Sequence, residues 1–318
     1  MRALTYLIAG LVLLLAGMGV RWAVEHYDPD AVPPPRVDAQ LGFDSTGYLV
    51  NEALERYRAL PAEERRAVTR ALRDAIVDGD TWMAHINRQP LDMLCLGERH
   101  QDTVRQFLSR DLLGKLDMDV LMLEAGSDTM LRIRQARSAG DGPQTLLGAG
   151  IDDILDAVAA RDPAPAVIPV DESEVQRRAR LRLARADLSR RAREDTIVAN
   201  LRRRWQPGVR HVILFGALHC RDLPGWFYHR LPREDPRISV ERVANVVLLP
   251  RSHEPSAQML FALLEAMGWG ETVLAVPDTS RFPGQVEAWL PPVSDAFATY
   301  AGAIFFDDRR GRPGTDRK

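Results

Sequence analysis

Residues 91–123 read LDMLCLGERHQDTVRQFLSRDLLGKLDMDVLML, and this stretch decides the fold. A short apolar run from Leu91 to Leu96 ends at Gly97, a helical pattern extends from Thr103 to Leu116, and a second apolar run covers Asp119 to Leu123. Short apolar runs that end in turn residues predict buried strands. A strand, a helix and a strand in succession are typical of the crossover unit of a parallel sheet.

The same alternation continues on both sides of this stretch. We predict further helices over Leu49–Val77, Thr129–Ala139, Thr145–Ala160, Glu172–Arg204 and Asp222–Leu231, and further strands over Ala166–Val170, His211–Phe215, Val243–Leu249, Thr272–Val276 and Ala303–Phe306. Strands separated by helices of this length predict an α/β domain, in which helices cover both faces of a mostly parallel sheet. This domain is expected to cover residues 45–306, with a disordered tail at 307–318.

The composition excludes several classes of protein. Hydrophobic residues make up 46% and charged residues 27% of the 318 residues, which rules out a disordered or fibrous chain. The net charge of −2 gives no reason to expect nucleic acid as a partner. Two cysteines exclude a scaffold held together by many disulfides, and no C-x-x-C pair indicates a zinc ribbon or a thioredoxin-like site.

The N-terminus contains an uncharged apolar run, ALTYLIAGLVLLLAGMGV, from Ala3 to Val20. Its length is at the short end of what spans a bilayer, and no small-residue cleavage site follows it. Residues 1–27 are therefore predicted to be an uncleaved signal anchor, with a cleaved signal peptide as the alternative. The Pro-rich residues 28–44 are predicted to be an extended linker, which would hold the domain outside the cytoplasm, in the periplasm or extracellular space.

Ionisable residues follow four of the predicted strands. Glu98 and His100 follow the first, Glu124 the second and Asp171 the third, while His219 comes shortly after Gly216 at the end of the fourth. In a parallel sheet, the carboxyl ends of the strands share one edge, where ligands bind. We therefore expect Glu98, His100, Glu124 and His219 to converge in one pocket.

Two kinds of chemistry fit such a cluster. Two carboxylates and two imidazoles can hold a divalent metal ion and leave a position open for water. Without a metal, the same groups supply a general base, its orienting partner and an acid. The sequence contains no H-E-x-x-H, G-x-S-x-G, P-loop or G-x-G-x-x-G motif, so the common metalloprotease, serine-hydrolase and nucleotide-binding signatures are absent.

The segments LCLGERHQD, DVLMLEAG and HVILFGALHC, in this order, resemble the superfamily that unites Tiki proteases, TraB/PrgY proteins, ChaN-type haem-uptake proteins and erythromycin esterases. The hallmarks of that superfamily are a G-E-x-H strand end, a later Glu and a late G-x-x-H. The matching residues here are Gly97, Glu98 and His100, then Glu124, then Gly216 and His219. The stretch from Arg193 to Leu201 resembles its Arg-Asp/Asn helix motif, which adds Arg193 and Asp195 to the expected site.

The resemblance implies different activities for different branches. Tiki members are membrane-anchored, metal-dependent peptidases, whereas erythromycin esterases use the same acid and histidine cluster to open a lactone without a metal. ChaN members bind haem through residues outside the shared motifs. The resemblance therefore implies a membrane-anchored hydrolase of peptide, ester or lactone bonds, with a divalent ion as one expected cofactor. The alternative is a non-catalytic or regulatory protein that binds haem or another small ligand.

Two further features each have two interpretations. Cys95 lies in the first strand and Cys220 directly follows His219, so outside the cytoplasm they are able to form a disulfide; the alternative is two small buried apolar residues. The arginine-rich stretch 176–204 either contacts anionic lipid headgroups or an acidic ligand, or is a solvated helix face.

Overall fold

The structure, a computed structural model, describes residues 45–139, 150–183, 185–290 and 297–309. The predicted signal anchor, the Pro-rich linker and residues 310–318 of the predicted tail lie outside the described residues, as do residues 145–149 of one predicted helix. Within the described ranges, no helix combines the length and the apolar character needed to cross a membrane.

Helices and strands alternate along most of the described chain. The helices are α1 (Ser45–Ala59), α2 (Ala62–Ala75), α3 (Gly79–Arg88), α4 (Asp102–Phe107, continued by a π-helical turn at Leu108–Leu112), α5 (Ser127–Ala139), α6 (Ile151–Ala159), α7 (Glu174–Arg180), α8 (Ala186–Arg204), α9 (Phe227–Glu234), α10 (Pro255–Ala266) and α11 (Gly284–Glu287). The strands are β1 (Val77–Asp78), β2 (Met93–Glu98), β3 (Val120–Leu123), β4 (Ala166–Pro169), β5 (His211–Gly216), β6 (Val243–Pro250), β7 (Val273–Val276) and β8 (Gly302–Phe306).

These strands form one sheet in the order β1-β7-β8-β6-β2-β5-β3-β4. The six strands from β8 to β4 are parallel, whereas β7 is antiparallel to both β8 and β1. The prediction of an α/β fold with a mostly parallel sheet is confirmed. Because β2 lies between β5 and β6, its carboxyl end is at the centre of the edge where ligands bind in such sheets.

Alternate residues of each strand pack on opposite faces of the sheet. Cys95, Ile213 and Phe215 belong to one apolar cluster, together with residues of α2, α8 and α10. Their neighbours Leu94 and Leu96 belong to a second cluster, with residues of α3, α4 and α6. The central strands β2, β3 and β5 are buried along their whole length, which explains why their sequences are mostly apolar without polar alternation.

Two predicted helices are wrong as continuous elements. The helix predicted over Leu49–Val77 is divided into α1 and α2 at Pro61, because proline disfavours helical backbone in the residue before it and lacks an N–H donor. The helix predicted over Glu172–Arg204 is divided into α7 and α8. Arg180 closes the turn between them by binding Glu172 at 2.6 Å and Ser189 at 2.8 Å.

Cys95 and Cys220 form a disulfide, so the interpretation of the two cysteines as a bonded pair is confirmed. Their Cα atoms are 5.8 Å apart, and both residues are fully buried. The bond joins the middle of β2 to the short 3₁₀ helix Ala217–Cys220 that follows β5. Since His219 directly precedes Cys220, the disulfide ties the end of β5 to the strand that leads to Glu98 and His100.

Candidate active site

The four residues predicted to converge do so at the carboxyl edge of the sheet. Glu98 is the last residue of β2, and Glu124 directly follows β3. His219 lies in the 3₁₀ helix that follows β5, and β5 is the strand between β2 and β3 in the sheet. The parallel direction of these three strands therefore brings residues far apart in sequence into contact.

The first half of the site is a Glu98–His100 pair. Nδ1 of His100 lies 2.9 Å from Oε1 of Glu98, and Nε2 lies 3.2 Å from Oε2 of Glu124. The buried guanidinium of Arg105 donates to Glu98 from Nη2 at 3.2 Å. His100 has a φ of +51°, so the backbone turns away from the extended conformation of β2 at this residue.

The second half is a Glu194–His219 pair. Nδ1 of His219 lies 2.5 Å from Oε1 of Glu194, a residue of α8 whose side chain is fully buried. The other carboxylate oxygen of Glu194 accepts a hydrogen bond from the backbone N–H of Phe227 at 2.7 Å. Both oxygens of this buried carboxylate are therefore satisfied, and its position fixes the imidazole ring of His219.

Arg193 joins the two halves. Its Nη2 donates to Glu124 at 2.6 Å and to Asp171 at 2.7 Å, and its Nη1 lies 3.1 Å from Nε2 of His219. A guanidinium can only donate, so Nε2 of His219 accepts and Nδ1 carries the hydrogen toward Glu194. The structure thus places Asp171, which follows β4, and Arg193, which the resemblance added to the expected site, next to Glu124 and His219.

The electrostatics of the first half favour ionised side chains. Hydrogen bonds to Glu124 and Glu98 raise the pKa of His100 from 6.5 to about 10. Burial alone would raise the pKa of Glu124, but the hydrogen bond from His100 and nearby positive charges hold it at about 2. Burial also opposes the charge of Arg193, yet Asp171 and Glu124 raise its pKa. His100 is therefore an imidazolium at neutral pH.

Two glycines allow the close approach of these groups. A Cβ atom on Gly216 would lie 2.8 Å from Nε2 of His100 and 3.2 Å from Oε2 of Glu124. The backbone N–H of Gly216 also donates to that oxygen at 2.5 Å. A Cβ atom on Gly97 would lie 3.1 Å from the backbone of Ala217 and 3.3 Å from the hydroxyl of Tyr300. Both glycines, which the resemblance matched to its motifs, therefore allow the groups of the site to approach closely.

Gly216→Ala is expected to displace the His100 ring from Glu124, because the added methyl group would occupy its position. The pKa of His100 should then fall from about 10 toward 6.5, which NMR titration of the ring measures. Gly114→Ala is the control, since its Cβ would meet nothing within 4 Å. An unchanged titration of His100 in a folded Gly216→Ala variant would contradict the described contact.

Sequence reasoning missed Glu194 and Arg105 and included Asp195, which does not join the cluster. The Asp195 carboxylate is half exposed and pairs with Arg230 at 2.8 Å. Glu194 is one residue earlier and, on a helix, points in a different direction. A signal was present: Glu194 is in line with Ile197, Val198 and Leu201, the buried stripe of α8. An acid within an apolar stripe indicates a buried, partnered carboxylate.

The donor atoms of the cluster do not fit the divalent ion that the resemblance implies. Such an ion would need lone pairs of Glu124 and His219 that both receive hydrogen bonds from Arg193. Glu98 is held by Arg105 in the same way. In the part of the chain that the structure describes, no group of three or more His, Cys, Asp or Glu side chains could hold a metal ion. The two guanidinium groups supply the positive charge that a metal would supply.

The site opens to solvent through His100. Its side chain is 46% exposed, against 5% for Glu98, 14% for Glu124 and 12% for His219. Two cavities, of about 430 and 310 Å³, lie elsewhere: the first is next to Trp82 and Val273 near β1 and β7, the second next to Met130 and Arg204 near β4. The cluster is thus an open site in which His100 is the group that an incoming molecule meets first.

The chain matches no family model, no curated protein and no solved structure.

Proposed function

We propose that this protein is a hydrolase of ester, lactone or peptide bonds that works with two Glu–His pairs. One observation carries the proposal: both imidazole Nε2 atoms face the same carboxylate, Glu124, at 3.2 Å from His100 and 4.0 Å from His219. Each imidazole is supported at Nδ1 by its own glutamate. A carboxylate behind a histidine fixes its tautomer and orientation, which is the arrangement used in acid–base catalysis.

The two histidines have different roles because their surroundings differ. His219 has an acceptor at Nε2, so it takes the proton of a water molecule as the water oxygen attacks the carbonyl carbon of the substrate. His100, held as an imidazolium, exchanges the contact of its Nε2–H with Glu124 for a hydrogen bond to the oxyanion that forms, while its Nδ1–H stays on Glu98. When the C–O or C–N bond breaks, the leaving group receives the proton from His219, which restores the starting state.

Arg193 connects binding to this step. In the resting site its Nη1 occupies the lone pair of His219. The developing oxyanion of the substrate is a stronger acceptor for that N–H, so Arg193 turns to it and frees Nε2 for water. This chain of events needs no metal ion, and the arginine contacts support the branch of the resemblance that opens lactones without one.

We also propose that the domain works outside the cytoplasm, held by the apolar run Ala3–Val20. The support is the disulfide between Cys95 and Cys220, since such bonds persist in oxidising compartments and are rare in the cytosol. The expected partners are therefore the membrane and a peptide or small-molecule substrate.

The experiment is a hydrolysis assay of the purified full-length chain on three substrate classes: chromogenic esters, lactones and short peptides. Each is measured with and without a strong chelator, alongside elemental analysis and an ultraviolet–visible spectrum. Turnover that survives the chelator supports the proposal. No turnover in any class, or a haem absorption band in the purified protein, would favour the non-catalytic ligand-binding alternative. Loss on chelation with recovery on adding metal would refute the metal-free mechanism.

Glu194→Gln is expected to lower kcat by about 10²–10⁴-fold, because an amide no longer fixes the Nδ1–H tautomer of His219. The matched control is Asp195→Asn, the adjacent acid of the same helix, which contacts Arg230 instead. That variant should retain wild-type kcat. Steady-state kinetics on the best substrate compares the two, with circular dichroism to confirm folding. Equal losses in both variants would argue against a positioning role for Glu194.

A further inference from the structure

The first part of the helix pair α7 and α8 has an unusual outer surface, which we call the arginine hairpin (residues 174–183 and 185–191). No residue of α7 is buried. Four large apolar side chains lie exposed here, between 41% and 78%: Val175, Leu181, Leu183 and Leu188. They are four of the seven large apolar side chains that are exposed in the described ranges, so they form a local concentration.

The charge of the arginine hairpin is strongly positive. It contains seven arginines and two acidic residues, although the whole chain has a net charge of −2. Glu174 and Asp187, the two acids, pair with Arg178 and Arg185 at the surface. Arg177 and Arg182 are exposed, and among the described residues neither side chain has an acidic partner. The surface therefore combines free guanidinium groups with exposed apolar side chains.

We propose that the arginine hairpin docks on an anionic lipid bilayer. Leucine and valine side chains enter the boundary between headgroups and acyl chains, while arginines bind the phosphates above them. A solvated helix face explains the arginines, but it does not explain why four of the seven exposed large apolar side chains of the described residues lie in this one segment. Charge complementarity selects the anionic bilayer as the partner, since basic clusters beside apolar side chains bind acidic lipids.

Docking would bring the candidate active site to the membrane surface. The same helix, α8, carries the exposed Leu188 at its beginning and Arg193 and Glu194 about one turn later. Arg180 of the hairpin binds Glu172, which directly follows Asp171 of the site. This inference goes beyond the proposed function, and its test requires no enzymatic activity.

The test uses the full-length chain with Leu183→Cys, labelled with an environment-sensitive fluorophore. Both native cysteines are buried and bonded to each other, so the label reacts at the introduced thiol. Labelled protein is combined with vesicles of phosphatidylcholine alone or of phosphatidylcholine with phosphatidylglycerol. We expect a blue shift of the emission with the anionic vesicles and none with the neutral ones. In about 1 M salt, where charges are screened beyond about 3 Å, the shift should disappear.

The matched control is Val240→Cys, which replaces an exposed valine that lies outside the hairpin, on the turn before β6. It should show no shift with either vesicle. In the Leu183→Cys background, Arg177→Gln with Arg182→Gln should lose most of the response. Equal shifts in both vesicles, or a shift at position 240 as large as at 183, would overturn the proposal. So would a shift without vesicles that grows with protein concentration, because the occupant would then be a second copy of the chain.

Discussion

His100→Gln should lower kcat of the proposed hydrolase by about 10²–10⁴-fold while leaving the fold intact. Glutamine keeps hydrogen-bonding capacity but cannot carry the positive charge that the two glutamates induce on His100. The control is His85→Gln on α3, an exposed histidine whose side chain contacts only Gln89 in the described structure. Steady-state kinetics of both variants measures the difference, and full activity of His100→Gln would exclude His100 from catalysis.

The raised pKa of His100 also predicts how the rate and the stability of the protein depend on pH. Since His100 acts as an imidazolium, kcat of the wild type should fall as the pH rises through about 10. The raised pKa also means that the stabilisation from His100 is complete below about pH 6.5 and is lost as the pH rises through about 10. The pKa of Glu124 is lowered instead, so its contribution to stability is complete above about pH 4.5 and is lost as the pH falls through about 2. A rate that stays constant through pH 10 would contradict this role.

Replacing both Cys95 and Cys220 by alanine should lower the free energy of unfolding by about 3–5 kcal/mol. The bond closes a loop of 125 residues, and long loops lose the most entropy in the unfolded chain when they are cross-linked. Urea denaturation of the full-length chain measures this change. Because Cys220 directly follows His219, the variant should also be less active than the wild type at temperatures at which it is still folded.

The control for the disulfide is a substitution of similar size in the same core, Ile213→Val on β5, which creates a small cavity and typically costs about 0.5–1.5 kcal/mol. A loss in the double cysteine variant no larger than in the control would show that the bond contributes little. Peptide mapping of the wild type without reductant, which should recover both cysteines in one linked fragment, provides an independent check.

The sequence was sufficient to predict a mostly parallel sheet and four residues that converge at its edge, but not β1 or the antiparallel direction of β7. Apolar runs marked the buried strands, and the direction of parallel strands then placed Glu98, Glu124 and His219 together. Both predictions follow from the topology of a parallel sheet, which the apolar runs and the alternation of strands and helices along the chain indicate. The turn at His100 was not predictable, because a positive φ in a non-glycine residue depends on the Glu98 and Glu124 contacts that hold the ring.

The residues that the sequence did not reveal are those that act from helices. Glu194 and Arg105 are both buried: Glu194 is in line with Ile197, Val198 and Leu201 on α8, and Arg105 is buried with Val104 and Phe107 on α4. Glu194 pairs with His219, which lies 25 residues further along the chain, and Arg105 pairs with Glu98, seven residues before it. Neither spacing is a motif that the sequence alone identifies. The metal expectation rested on the two carboxylates and two imidazoles at the strand ends, whereas the hydrogen bonds that Arg193 and Arg105 donate to this cluster are seen only in the structure.

The strand order also affects how the protein is made. β2 is fully buried, yet its two neighbours in the sheet, β5 and β6, are synthesised long after it. While the ribosome extends the nascent chain from β2 to β5, this strand has apolar faces and two unpaired edges. Exposed strands of this kind aggregate readily. One edge of β2 therefore has no partner strand until residues 211–216 have been synthesised.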